Sequence, residues 1–216
     1  MPALTRAQRH ATCFHEAGHA VVFALGGVSV YGAAVAPAGV EAWRIASSNG
    51  RSCADLWGLC RQAELVLPRH LLRWLMSEGG LHPDGRGHEA VLASPEGQSL
   101  LLALPEGQRR EIRAQIVGLL AGPAAEQVSR GEPPQLCGRN DLDDVNRAAA
   151  LCALLPGQPP LEPAVRLVAA VLGQPALWEK VAALAADLEC NGEIDGRIKA
   201  FLPAAESGWP PAWAAR

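Results

Sequence analysis

The chain has 216 residues, with 19 Lys and Arg against 22 Asp and Glu and a formal net charge of −3. This length allows a sizeable hydrophobic core, so folding does not require disulfides or a structural metal. The near-neutral charge excludes the basic surface that nucleic-acid binding needs, and it leaves no polybasic patch for a membrane surface.

Six scattered cysteines, with no C-x-x-C pair, indicate buried thiols in a reducing cytosol. The first residues lack the apolar segment of a secretory signal, and no apolar stretch reaches the roughly 20 residues that span a bilayer. We therefore expect a cytoplasmic protein with no membrane span and no nucleic-acid partner.

The first predicted element is a helix that begins at Thr5 and ends at Gly26. Thr5 with Gln8 three residues later is typical of a capping box, and Gly26 with Gly27 supplies a stop. The segment VSVYGAAVAPAGVEAWRI then predicts strands between about residues 28 and 48. VSVYGAAVA is either an exposed edge that could pair with an extended peptide or part of a small structural hairpin.

Helices dominate the rest of the chain, because leucine and alanine are frequent and aromatic residues make up only 5%. The expected fold class is mainly α with a small β element after the first helix (α+β). The tail from Pro203 is either frayed or docked. The further predicted helices span residues 55–75, 109–129, 141–155, 161–173, 176–190 and 193–202.

The motif HEAGH, residues 15–19, lies inside the first predicted helix and indicates a possible metal site. His15 and His19 lie one turn apart on the same helix face, so both imidazoles can bind one ion. Zinc suits these ligands and keeps a position open for water when the protein supplies three ligands. Glu16 lies beside the pair, where it can take a proton from that water without binding the metal.

Three segments together resemble FtsH-type zinc metalloprotease domains. ATCFHEAGHAVVFAL resembles the zinc-binding helix of that family, and IVGLLAGPAAEQVSRGE, residues 116–132, resembles its Gly-Arg-Ala-Ala-Glu-Glu helix. GRNDLDDVNRA, residues 138–148, is similar to the segment in which an Asn-Asp-Leu supplies the last ligand. More weakly, LAADLECNGEIDGRI resembles the closing helix pair. The resemblance implies an FtsH-like zincin fold and assigns Asp141 as the third Zn²⁺ ligand.

The chain also departs from the family pattern. Pro123 stands where the family usually has Arg, and Gln127 where it often has Glu. The interval from His19 to Asp141 is 122 residues (141 − 19), several dozen more than the resemblance implies, so we expect an insertion at 52–108. On this view 1–203 is a single FtsH-like peptidase domain and 204–216 is a C-terminal tail.

The resemblance implies a zinc-dependent metalloendopeptidase with Glu16 as its catalytic base. Because the sequence contains no G-x-x-x-x-G-K-[ST] motif, we expect it to cleave peptides or unfolded protein segments without an ATPase of its own. The alternative is a non-catalytic adaptor or regulatory module that keeps the peptidase fold. The hexameric rings of the family leave open a homo-oligomer or a separate partner protein.

Other carboxylates compete with Asp141 for the third ligand position. Asp141 could instead cap a helix, and Glu111 or Glu126 could bind the ion in its place. Glu126 could also orient a histidine ligand or be solvated. Asp143 and Asp144 are expected to be first-turn carboxylates that complement a helix dipole.

Overall fold

The structure is a computed structural model that describes residues 3–40, 44–46, 52–54, 57–77, 88–135 and 142–213. The described chain is mainly helical with a small antiparallel sheet, as the sequence predicts. Its helices are α1 (Arg6–Leu25), α2 (Arg69–Ser77), α3 (His88–Leu92), α4 (Pro95–Leu102), α5 (Glu106–Ser129), α6 (Leu142–Cys152), α7 (Glu162–Leu172) and α8 (Pro175–Asn191). Its strands are β1 (Val30–Val35), β2 (Arg44–Ala46), β3 (Ser52–Ala54), β4 (Gly58–Gln62) and β5 (Glu193–Ile194), followed by a 3₁₀ helix (Gly196–Ala200).

The predicted start of α1 is confirmed. The Thr5 side-chain oxygen accepts a hydrogen bond from the backbone N–H of Gln8 at 3.2 Å, and the Gln8 side chain accepts one from the Thr5 N–H at 2.9 Å. Two backbone donors that the first turn leaves unpaired are thereby satisfied. The C-terminal half of α1 is buried because it packs mainly against α5 and α8.

Helix α5 is the central helix of the fold, and α1 crosses it closely. Residues 112–125 of α5 are all buried, as expected for a helix that is covered on every side. A Cβ at Gly18 would lie 2.5 Å from the carbonyl oxygen of Ala121. This crossing therefore needs glycine at position 18, and it fixes the position of His15 and His19 over α5.

The sheet has the order β4-β1-β5, with both pairings antiparallel. Strand β1 is therefore the central strand, and the prediction of an exposed edge at VSVYGAAVA is wrong. The reason is that β4 and β5, which the sequence did not predict as strands, occupy both sides of β1. In the described sheet β4 keeps one edge without a strand partner, while β2 and β3 form a separate two-stranded hairpin.

The long helices of the second half agree with the predicted ranges to within about three residues. The predicted helix over 55–75 is wrong in its first part, because residues 58–62 form β4 and the helix starts only at Arg69. These residues form a strand instead of a helix because they pair with β1. The range 52–108, expected to be an insertion, thus contains a strand of the sheet that adjoins α1.

The C-terminal tail is docked in the described part of the chain. The backbone N–H of Glu206 donates to the carbonyl oxygen of Leu25 at 3.0 Å, and Arg113 Nε donates to the carbonyl oxygen of Pro210 at 3.4 Å. Trp209 is only 8% exposed. The tail therefore covers the end of α1 and the start of α5.

No single helix of the described segments has both the length and the apolar character needed to cross a membrane. Helices α7 and α8 meet those limits only together, and they are bent by 83° at their break.

Candidate metal centre

Two histidines of α1 and one aspartate of α6 converge on one point. His15 Nε2 lies 3.1 Å from Asp144 Oδ2, and His19 Nε2 lies 3.3 Å from the same oxygen. One ligand atom from each of these residues falls within 4.8 Å of the other two. The two histidines meet because four residues are about one helical turn, and the close packing of α6 on α5 brings Asp144 to them.

These separations suit a small tetrahedral ion. Ligand atoms bound to zinc at about 2.0–2.2 Å in a tetrahedron are roughly 3.3–3.6 Å apart. The observed 3.1 and 3.3 Å distances are close to this range. Two imidazole nitrogens and a carboxylate oxygen are also a donor set that catalytic zinc uses, and they leave a fourth position open.

The other ring nitrogens are oriented by acceptors on α5. His19 Nδ1 lies 2.8 Å from the carbonyl oxygen of Gly118, to which it can only donate. His15 Nδ1 lies 3.3 Å from Glu126 Oε2. Partners of this kind fix the ring orientation and leave the Nε2 lone pair for a metal. Of the three alternatives for Glu126, which were third ligand, orienting partner and solvated residue, its contact with His15 Nδ1 corresponds to the orienting partner.

The His19 ring lies against a gap in α5. A Cβ at Gly122 would lie 2.5 Å from His19 Cε1 and 2.8 Å from Cδ2. Glycine at this position therefore makes the space in which the imidazole fits, while Gly118, one turn earlier, supplies the acceptor for Nδ1.

Electrostatics within the cluster favour a charged His15 beside charged carboxylates when no ion is bound. Burial alone lowers the pKa of His15, but hydrogen bonds with Asp144 and Glu126 outweigh it and raise that pKa to about 10. Burial raises the pKa of Asp144, yet the neighbouring histidines hold it well below its usual range. The hydrogen bond from His15 lowers the pKa of Glu126. The site is thus built to hold positive charge.

Glu16 lies beside the cluster and is only 6% exposed. Burial raises its pKa, while the charges of His15 and His19 act in the opposite direction. The backbone N–H of Cys60 on β4 donates to its carboxylate. Glu16 belongs to none of the contacts that join the histidines to Asp144.

A cleft of about 650 Å³ opens over these residues. On one side the cleft is bounded by α1 and the start of β4. On the other side it is bounded by the C-terminal end of α5 and the N-terminal end of α6. Charged and apolar groups both line it, including Ala11, Trp57, Leu59, Glu126, Arg130 and Arg147. A volume of this size accommodates a peptide segment of a few residues.

The predicted site residues have different outcomes. His15, Glu16 and His19 lie together, as the motif indicates, whereas Asp141 lies outside the described residues and its role as a ligand stays a prediction. Asp144, expected to be a first-turn carboxylate, is indeed in the first turn of α6 but also contacts both histidines. Glu111 lies near the start of α5, where its carboxylate accepts from Gln108 at 3.2 Å.

The spacing of the aspartates in the sequence is compatible with Asp144 as a ligand, although the resemblance pointed to Asp141. Asp141 and Asp144 are three residues apart, so on a helix they would point to the same side. Spacing alone therefore cannot choose between them.

Comparison with known proteins adds no family to this description. No protein-family model matches the chain, and no curated protein matches it.

Proposed function

We propose that the protein is a zinc-dependent metalloendopeptidase, distantly related to FtsH-type protease domains, that hydrolyses peptides or unfolded protein segments. The observation that carries this proposal is the convergence of His15, His19 and Asp144 next to the buried carboxylate of Glu16. A cluster that served only to bind an ion would have no need of a buried carboxylate beside the triad that takes no part in its contacts. In such a peptidase the three converging side chains are the ligands.

A zinc ion held by this triad supplies Lewis acidity, which polarises a peptide carbonyl and makes a nearby water more acidic. The Glu16 carboxylate takes a proton from the water while the water oxygen attacks the carbonyl carbon of the peptide bond. Glu16 then gives the proton to the amide nitrogen when the C–N bond breaks. Burial, which raises the pKa of Glu16, makes the carboxylate a stronger base than it would be in water.

An extended substrate could be held by β4. The edge of β4 that faces away from β1 has no strand partner among the described residues, and Gly58, Leu59, Cys60 and Gln62 line the cleft. The N–H of Cys60 is bonded to Glu16, so the outward backbone groups of Gly58 and Gln62 are the ones offered to a substrate. Pairing with a sheet edge uses only main-chain groups, so it suits substrates of varied sequence. This proposal moves the predicted peptide-binding edge from VSVYGAAVA to β4.

Glu16→Gln tests the proposed function. The change removes the base but no ligand, so the variant should keep zinc and lose about 10²–10⁴-fold in hydrolysis of an unstructured, casein-like chain. Glu111→Gln is the matched control, because this carboxylate of α5 contacts Gln108, and it should keep both zinc and activity. Loss of zinc in Glu111→Gln would instead favour Glu111 as the third ligand.

Two results would contradict the proposed peptidase function. Unchanged hydrolysis in Glu16→Gln would show that the activity belongs to another site or to a contaminant. A wild-type protein that binds zinc but cleaves no chain in a wide panel of peptides and unfolded proteins would favour the non-catalytic adaptor.

A further inference from the structure

The hydrogen-bonding direction along β4 determines which of its backbone groups reach the cleft. The carbonyl oxygen of Trp57 accepts from the N–H of Ala36 at 2.7 Å, and the N–H of Ala63 donates to the carbonyl oxygen of Ser29 at 2.8 Å. Odd-numbered positions of this segment therefore face β1. Backbone groups alternate in direction along a strand, so those of the even-numbered positions, including Cys60, face the opposite edge.

The Glu16 side chain lies beside Gly58 and Cys60 of β4. The outward N–H of Cys60 donates to its carboxylate. A Cβ at Gly58, two residues earlier, would lie 2.7 Å from Glu16 Cγ and 2.8 Å from Glu16 Cδ. Real Cβ atoms do not approach carbon atoms this closely, so any side chain at position 58 would displace Glu16.

We propose that Gly58 and the backbone N–H of Cys60 form a seat on β4 that holds the Glu16 carboxylate beside the three ligands. Gly58 provides the space and Cys60 the hydrogen bond, so Gly58 is a positioning residue for the base. The part of this inference that concerns catalysis rests on the proposed peptidase function. The contact itself does not, and it can be tested on the protein without substrate.

The physical reason for such a seat is that a glutamate has three side-chain torsions to fix. A general base must lie within hydrogen-bond distance of the proton that it takes. Burial by itself does not fix all three torsions of Glu16, whereas a backbone donor on a paired strand adds a rigid, directional partner. Strand β4 would thus orient the base in addition to lining the cleft.

A double-mutant cycle in thermal unfolding tests the contact. Gly58→Ala should lower Tm by about 3–10 °C in the wild-type background, because the new methyl group overlaps Glu16. In the Glu16→Ala background the side chain that it meets is gone, and the same change should lower Tm by less than about 2 °C. Gly196→Ala, where a Cβ meets nothing within 4 Å, should have little effect in either background.

An equal loss of Tm in both backgrounds, or no loss in either, would contradict the proposed contact between Gly58 and Glu16. If Gly58→Ala alone does not fold, folding of the double variant supports the seat and failure of both overturns it.

Kinetics then separate positioning from a purely structural role. Gly58→Ala should retain zinc and keep KM within about twofold, while kcat falls by about 10–100-fold because the base is displaced. A fall in zinc content or a rise in KM with constant kcat would overturn the positioning role. A wild type that hydrolyses nothing would reject the proposed function, whereas the unfolding temperatures would still decide whether the seat exists.

Discussion

At the scale of single residues, the proposed zinc site predicts that metal binding at His15 depends on the release of a proton. Without an ion its two ring nitrogens lie against Asp144 and Glu126, and these hydrogen bonds, working against burial, raise its pKa to about 10. Zinc needs the lone pair on Nε2, so binding must release the proton from that nitrogen. In the proposed site, zinc binding would therefore exchange this proton for the ion.

The stability of the metal-free protein should depend on pH through His15. A histidine whose folded pKa is raised from 6.5 to about 10 stabilises the protein fully below about pH 6.5, and this contribution disappears as the pH rises toward 10. In the presence of a chelator, the Tm difference between wild type and His15→Gln should be largest near pH 6 and smallest near pH 10. A difference that is constant, or that grows with pH, would contradict this protonation.

The apparent affinity for zinc should change in the opposite direction. Because one proton leaves as the ion binds, affinity should rise by up to about tenfold per pH unit until the pH reaches about 10, the pKa of His15 without metal, and should level off above it. Titration against a competing chelator of known pH dependence measures this slope. Glu126→Gln, which removes one of the charges that raise the His15 pKa, should make the slope end at a lower pH.

At the scale of elements, the site depends on the crossing of α1 over α5. Helix α1 could be predicted from its sequence because its capping box at Thr5 and its stop at Gly26 are local signals, and both agree with the structure. Strand β4 could not, because GLCRQ has neither alternation nor β-branched residues, and only pairing with β1 makes it a strand. The tertiary environment therefore supplies the strand that contacts Glu16.

Gly122→Ala should damage the metal site through the helix crossing. The added methyl group overlaps the His19 ring, so His19 must turn away and zinc affinity should fall by at least about tenfold. Gly107→Ala on the same helix is the control, since a Cβ there meets nothing within 4 Å, and it should bind zinc as wild type does. Equal affinities in all three proteins would show that His19 does not depend on this gap.

At the scale of the whole molecule, the helical fold and its small sheet were predictable, whereas the docking of the tail was not. The sequence left the segment from Pro203 open because nothing local to Trp209 or Pro210 indicates what they contact. In the structure Arg113, at the start of α5, reaches the carbonyl oxygen of Pro210 and lies 6.0 Å from the ring centroid of Trp213. Contacts with distant parts of the chain determine whether such a segment is docked or frayed.

Trp209→Ala should therefore lower stability without affecting the metal. Removing this nearly buried ring leaves a cavity beside the end of α1, and we expect a loss of about 2–4 kcal/mol in the free energy of unfolding. Met76→Ala, at a side chain that is 67% exposed, should change it by less than about 0.5 kcal/mol. Denaturant unfolding gives both values, and an unchanged midpoint for Trp209→Ala would show that the tail is not docked in solution.

The third ligand marks the limit of prediction at the site. Resemblance to a family pointed to Asp141, and the contacts of the described residues point to Asp144, one helical turn later in the chain. The central claim is that His15, His19 and Asp144 bind one zinc ion, and metal content by elemental analysis tests it most directly. After zinc loading and dialysis, the wild type and Asp141→Asn should each hold one zinc per chain and Asp144→Asn almost none. A wild type without zinc would contradict the claim, and so would an Asp144→Asn protein that keeps its zinc while Asp141→Asn loses it.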